Sequence, residues 1–204
     1  AAAGATYGGV ILAPNSPRTI LPERVPEIFA DTPLLRCGVF VNEPRERLAE
    51  LAAELRLDVL QLHGDETPEL VAALRADFAG EVWKVVRPRS GEEFARAVDM
   101  FAGAAEGLML DGWSAAARGG TGTRFPWREV AAYRDRLPAG TRLIVAGGLD
   151  PDNVAQVVGI LSPDVVDVSS GVEAAPGIKD HDAIRRFADA ARGVVSAGLV
   201  DRPL

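Results

Sequence analysis

Seven short apolar runs recur along the chain, and each ends in small, polar or charged residues. They finish as Val10-Ile11-Leu12-Ala13, Gly38-Val39-Phe40-Val41-Asn42, Val59-Leu60-Gln61-Leu62-His63-Gly64, Val82-Trp83-Lys84-Val85-Val86, Leu108-Met109-Leu110-Asp111-Gly112, Leu143-Ile144-Val145-Ala146-Gly147-Gly148 and Val165-Val166-Asp167-Val168-Ser169-Ser170-Gly171. Helix-patterned segments separate them. Residues 44–57 put Leu48, Leu51, Ala52 and Leu55 on one face. Thr67-Pro68-Glu69 starts another helix, with proline at its first position and a stripe continuing through Leu70, Leu74 and Phe78. Further helices are expected over 22–30, 91–101, 127–137, 150–161 and 180–193. Strands alternating with helices predict repeated β/α units and a parallel sheet. Units of about 20–30 residues suit a barrel better than an open nucleotide-binding sheet. No G-x-G-x-x-G fingerprint follows the first visible strand.

The fold class is therefore read as α/β, a (β/α)8 TIM barrel with seven of its eight strands visible. Ala1-Ala2-Ala3-Gly4-Ala5 reads as the last turn of a helix stopped by Gly4. A helix end implies a strand before it, so roughly 15–20 residues of a first β/α unit are expected upstream. Residues 1–204 read as one barrel domain, incomplete at its amino end, with 194–204 as a carboxyl-terminal tail. No low-complexity linker marks a domain boundary.

Composition narrows the partners. A formal charge of −7 argues against nucleic acid or an anionic membrane surface. No apolar run approaches the roughly 18 residues of a membrane span. The single cysteine, Cys37, excludes an intramolecular disulfide and, with no visible signal peptide, points to the cytoplasm. Cys37 stands at the start of its strand and reads as a small buried hydrophobe. Two separated histidines and one distant cysteine make no metal site.

Barrels of this kind hold their chemistry at the carboxyl ends of the strands. Gly119-Gly120-Thr121-Gly122, Gly147-Gly148 and Ser169-Ser170-Gly171 all lie there. Each alone reads as a tight turn. Together, at matching positions, they point to backbone N–H groups gathered around a phosphate. Asp111 ends a very apolar strand, either as a general acid/base or as an acceptor for loop N–H groups. Gln61 and His63 alternate, so they point the same way; position alone makes His63 a structural residue more readily than a chemical one. Arg18 follows the first visible strand, where it suits a substrate carboxylate and equally suits an ordinary surface position.

These motifs, in order, resemble phosphoribosylanthranilate isomerase: Ser16-Pro17-Arg18, Gly38-Val39-Phe40-Val41-Asn42, Gln61-Leu62-His63-Gly64, Leu110-Asp111, Gly119-Gly120-Thr121-Gly122, Ala146-Gly147-Gly148-Leu149, Asp167-Val168-Ser169-Ser170-Gly171-Val172-Glu173 and Pro176-Gly177-Ile178-Lys179-Asp180. The resemblance implies a (β/α)8 enzyme of tryptophan biosynthesis that performs an Amadori rearrangement without cofactor or metal. It implies Asp111 as the general acid and Arg18 as the holder of the anthranilate carboxylate. Gly120, Thr121, Gly122, Gly147, Gly148, Ser169, Ser170 and Gly171 would surround the phosphate; Gln61, His63 and Asp167 would line the site. The family's general base is a cysteine in a Lys-x-Cys-Gly motif on the first strand, which is not in this sequence. The family's Lys-Thr-Phe-Asp-Trp run stands here as Thr123-Arg124-Phe125-Pro126-Trp127, which removes a helix-capping aspartate and leaves Arg124 in place of the lysine. A non-catalytic phosphate-binding barrel module and a related isomerase of another phosphosugar are the alternatives. Fusion to, or association with, another tryptophan-pathway enzyme such as indole-glycerol-phosphate synthase stays open.

Overall fold

The computed structural model describes residues 1–14, 16–112 and 126–198. Its parallel strands are β1 (Tyr7–Ile11), β2 (Leu35–Phe40), β3 (Val59–Leu62), β4 (Glu81–Val86), β5 (Gly107–Asp111), β6 (Arg142–Ala146) and β7 (Val165–Val166). A two-stranded antiparallel ribbon follows, β8 (Glu173–Ala175) with β9 (Ile178–Lys179). The helices are α1 (Val25–Ile28), α2 (Arg45–Leu55), α3 (Pro68–Asp77), α4 (Gly91–Phe101), α5 (Trp127–Ala131), α6 (Val154–Leu161) and α7 (His181–Gly198). No helix among the described residues is long and apolar enough to cross a membrane.

The chain packs as two compact units. The first contains Ala1–Val86, Asp99–Met109 and Pro138–Thr141. Its strands run in chain order from β1 to β4, followed by the start of β5. The parallel register pairs Tyr7 with Leu35, Cys37 with Val59, Val39 with Gln61 and Leu62 with Lys84. All four residues of β3 are buried, as expected for a parallel strand covered on both faces. The second unit contains Arg87–Val98, Leu110–Leu137 and Arg142–Leu204. There the order is the end of β5, then β6, then β7.

Helix α2 forms for the reasons its pattern predicts. Pro44, in an extended conformation, precedes its first turn, and Arg56 ends it in the left-handed region at φ 52°. Leu48, Leu51, Ala52 and Leu55 are its buried face, and each of its leucines contributes about 1.5–3 kcal/mol by leaving water. In α3, Thr67 caps the helix by accepting the Leu70 N–H at 3.3 Å. The buried residues there are Val71 and Leu74, so the stripe is set one residue on from Leu70. The expected helix over 22–30 is a 3-10 turn at Pro22–Arg24 followed by the single turn of α1. Pro26 stands in the first turn of α1, where its missing N–H costs no helical hydrogen bond. The last helix runs past residue 193 to Gly198. Gly4, at φ 77°, closes a turn onto the Ala1 carbonyl.

One device recurs at the amino ends of the strands. The Asp58 N–H donates to the Arg36 carbonyl, and its carboxylate accepts the Arg36 N–H at 2.7 Å. Glu106 does the same to Val82, with its carboxylate at 2.8 Å. Asp164 does the same to Leu143 at 2.7 Å. Each residue immediately precedes a strand and doubly ties down the strand before it. Asp58→Ala leaves the Arg36 N–H without its acceptor. A loss of about 1–3 kcal/mol in unfolding stability is expected by urea titration, and an unchanged midpoint would show that water replaces the carboxylate at no cost.

Candidate active site

Most predicted site residues stand at or just beyond the carboxyl ends of their strands. In the first unit, Arg18 lies in a turn after β1. The Arg18 N–H donates to Ser16 Oγ at 3.2 Å, and Thr19 Oγ1 donates to the Ala13 carbonyl at 2.7 Å. These bonds fix the turn that carries the half-buried arginine.

Gln61 and His63 point the same way, and the Gln61 amide nitrogen is hydrogen-bonded to His63 Nε2. Cys37 is buried, as its type predicts, but it is joined to this pair: its thiol donates to Gln61 Oε1 at 3.3 Å. The bond orients the Gln61 amide so that its NH2 meets the imidazole. In that orientation the Gln61 NH2 is the donor and His63 Nε2 the acceptor.

The end of β3 is held by a buried ion pair that the sequence reading passed over. Lys84 Nζ lies 3.0 Å from Glu66 Oε2, with the two side chains 4% and 1% exposed. Glu66 Oε1 accepts the N–H groups of Asn42 and Gly64 at 2.9 and 3.1 Å. Burial pushes the Glu66 carboxyl up, but the Asn42 N–H and the Lys84 ammonium outweigh it and leave its pKa lowered.

In the second unit, Asp111 ends β5 with its side chain 26% exposed. Its Oδ2 receives the Arg87 Nε–H at 3.3 Å. Burial raises its pKa, and Arg87 opposes the rise through its charge and hydrogen bond. Arg87 follows β4, and sequence reading missed it; an arginine directly after a strand end is the signal that could have found it. The Asp111 carboxyl packs against Gly147, where a Cβ would sit 2.7 Å from Oδ1 and overlap Gly112 N. Gly147 and Gly148 have φ of 78° and 67°, values that suit glycine.

Asp167 follows β7 and donates its N–H to the Val145 carbonyl at 2.9 Å. Its pKa is raised to about 6, first by desolvation and then by the Asp111 carboxylate, against the pull of Lys179 and the Val168 N–H. The residue as a whole nevertheless keeps an exposed surface.

Ser169 precedes a 3-10 turn at Ser170–Val172, and Gly171 lies so close to the Leu149 carbonyl that no Cβ fits. Lys179 Nζ donates to the Ser169 carbonyl at 2.9 Å and to the nearly buried Glu173 carboxylate at 3.1 Å. This brings the ribbon β8–β9 to the serine loop. Gly120, Thr121 and Gly122 lie outside the described residues. Pro126 precedes α5 without a side-chain cap, as the sequence departure predicts.

A carboxyl whose pKa burial raises thus ends β5 against Gly147. Known proteins resemble the chain over nearly all of its length. Residues 1–190 match the family model for N-(5'-phosphoribosyl)anthranilate (PRA) isomerase. The N-(5'-phosphoribosyl)anthranilate isomerase of Paramagnetospirillum magneticum is 40% identical over 195 residues, covering 93% of this chain and 88% of that protein. That of Acidithiobacillus ferrooxidans is 41% identical over 196 residues, 95% and 90% of the two chains. The crystal structure of phosphoribosyl anthranilate isomerase from Thermotoga maritima superposes with a TM-score of 0.83 at 36% identity, covering 94% and 90%. A second such structure, solved with reduced 1-(o-carboxyphenylamino)-1-deoxyribulose 5-phosphate, gives 0.80 at 35% identity, also covering 94% and 90%. With a match that spans nearly the whole chain, and an α/β succession of strands and helices to go with it, the chain belongs to the phosphoribosylanthranilate isomerase family of (β/α)8 barrels.

Proposed function

We propose that this chain isomerises N-(5'-phosphoribosyl)anthranilate to 1-(2-carboxyphenylamino)-1-deoxyribulose 5-phosphate, a step of tryptophan biosynthesis, with Asp111 as general acid. The observation that supports this role most is the carboxyl group at the end of β5, whose pKa burial raises. Asp111 gives its proton to the ribose ring oxygen as the C1′–O bond breaks, and the anthranilate nitrogen supplies the electron pair that forms the Schiff base. A base then removes the C2′ proton. The resulting enolamine becomes the C2′ ketone when C1′ takes up a proton and the 2′-hydroxyl gives up its own. In the family the base is a cysteine of a Lys-x-Cys-Gly motif, and none of β1–β7 carries that motif.

Gly147, Gly148, Ser169, Ser170 and Gly171, with Gly120, Thr121 and Gly122, hold the phosphate through backbone N–H groups. Gln61, His63 and Asp167 line the sugar. Arg18 holds the anthranilate carboxylate, and its guanidinium fork suits that planar group. The partner is thus a small phosphosugar. The cytoplasm is the expected compartment, with fusion to or association with another tryptophan-pathway enzyme as an open arrangement.

The test is loss of the substrate's anthranilate fluorescence on adding the natural protein. Steady turnover supports the reading, and no turnover at any substrate concentration overturns it. Arg18→Ala is expected to raise KM about tenfold with little change in kcat, since a carboxylate that makes and breaks no bond is bound about equally in ground and transition states. An unchanged KM would make Arg18 a surface residue.

A further inference from the structure

We infer that Lys84 and Glu66 are positioning residues that fix His63 for substrate binding, because Lys84 holds the carbonyls of Leu62 and Gly64, the residues on either side of His63, and Glu66 holds the Gly64 N–H. The inference rests on the isomerase reading above. Lys84 Nζ donates to the Leu62 carbonyl at 3.3 Å and to the Gly64 carbonyl at 2.8 Å, the residues on either side of His63. It also donates to the Val85 carbonyl at 3.1 Å. The Phe101 ring lies 5.9 Å from the ammonium. Glu66 completes the clamp from the other side, through the Gly64 and Asn42 N–H groups. Asn42, at φ 52°, returns a bond from its own side chain, with Oδ1 accepting the Asp65 N–H at 2.7 Å. The His63 N–H itself goes to the Phe40 carbonyl at 2.8 Å.

The ends of β2, β3 and β4 are thus tied through one ammonium and one carboxylate. The backbone on both sides of His63 is held, while Gln61 holds its ring. Stability alone gives no reason for such a pair, since apolar residues of like volume commonly replace a buried ion pair at no cost. What an apolar pair cannot supply is a directed tie to the Leu62 and Gly64 carbonyls. The hydrogen bonds of the pair described above all go to the end of β3, the turn after it, or the neighbouring ends of β2 and β4.

The experiment uses the natural protein carrying the double substitution K84M/E66Q. It leaves no uncompensated buried charge, and the glutamine side chain that replaces Glu66 is a near-isostere that keeps an oxygen for the Asn42 and Gly64 N–H groups. Two readouts are taken: steady-state kinetics with the anthranilate substrate, and the imidazole nitrogen resonances. The chain has two histidines, so His181 serves as the internal control. The double variant is expected to raise KM about tenfold with kcat within about threefold, and to shift or broaden the His63 ring signals while those of His181 stay in place. Wild-type KM together with wild-type His63 signals overturns the inference.

Should the double variant fail to fold, E66D decides. It keeps the charge but is one methylene too short to reach Lys84 and both N–H groups. Displaced His63 signals with a raised KM support the clamp; unmoved signals make the pair purely structural and overturn it. Absence of turnover in the unsubstituted protein counts against the isomerase reading alone, and the resonance readout then decides the inference by itself.

Discussion

Asp111→Asn is expected to cut kcat/KM by about a thousandfold or more, within the range that removal of a general acid produces. The amide keeps the shape of the carboxyl and can still accept the Arg87 N–H, but it has no acidic proton for the ribose ring oxygen. Affinity for inorganic phosphate, measured by competition, is expected to stay within about twofold, because the proposed phosphate contacts are backbone N–H groups and the amide keeps the carboxyl's shape against Gly147. Near-normal turnover in Asp111→Asn would remove the general-acid role. The pH dependence has a definite sign. A general acid works below its pKa, so kcat/KM falls as pH rises through the Asp111 titration. Arg87 lowers that pKa against the burial that raises it. Replacing Arg87 with leucine removes the opposing influence, and the falling limb moves to higher pH. A limb that stays in place, or moves down, contradicts the assignment.

The second large effect is expected at Gly147. Alanine there meets two obstacles: a backbone at φ 78° and a Cβ that overlaps Gly112 N and crowds Asp111 Oδ1. The strained backbone alone costs about 1–3 kcal/mol, and the overlap adds to it because backbone atoms have little room to give. Urea titration is expected to show a loss of about 3 kcal/mol or more. The surviving folded fraction should show kcat lowered about tenfold or more, because Asp111 is displaced from its productive position. Gly148→Ala is the control. Its φ is 67°, but nothing lies within 4 Å of the added carbon, so it carries the backbone cost without the overlap; as a proposed phosphate contact it should raise KM, while kcat stays within about threefold. Equal effects at both glycines would show that Gly147 acts only through its backbone angle.

Much of this architecture was legible in the chain. Every apolar run became a strand, because buried parallel strands have no polar face to hide their signal. Helix α4 occupies Gly91–Phe101, the segment expected. Other features left weaker traces. β7 has only two residues. The ribbon β8–β9 is too short for an alternating pattern, and its turn depends on Gly177 at φ 80°. The buried stripe of α3 keeps Leu74 as read but opens on Val71 in place of Leu70, because both are apolar and only packing decides between them. No linker in the sequence announces the division into two units.

At the site, the strand-end rule singles out Asp111, Gln61 and His63, and the structure places each at or next to the carboxyl end of its strand; Asp167 comes only from the family resemblance. The rule could not find partners far apart in the chain. Lys84 lies within an apolar run, and nothing local says that its ammonium reaches Glu66, eighteen residues earlier. The thiol of Cys37 reaches Gln61 across the sheet, a contact set by strand register rather than by composition.

The paired ties made by Asp58, Glu106 and Asp164 bear on how the chain is made. Each joins the first strand of a β-α-β segment to the residue just before its second strand, so it closes over a short stretch of sequence. Such a segment can lock as soon as its second strand leaves the ribosome, before the remainder is synthesised. Contacts this local also shorten the search for the native state. Arg36, Val82 and Leu143 would then mark three successive checkpoints of assembly during translation, each shut by a carboxylate at the end that carries no chemistry.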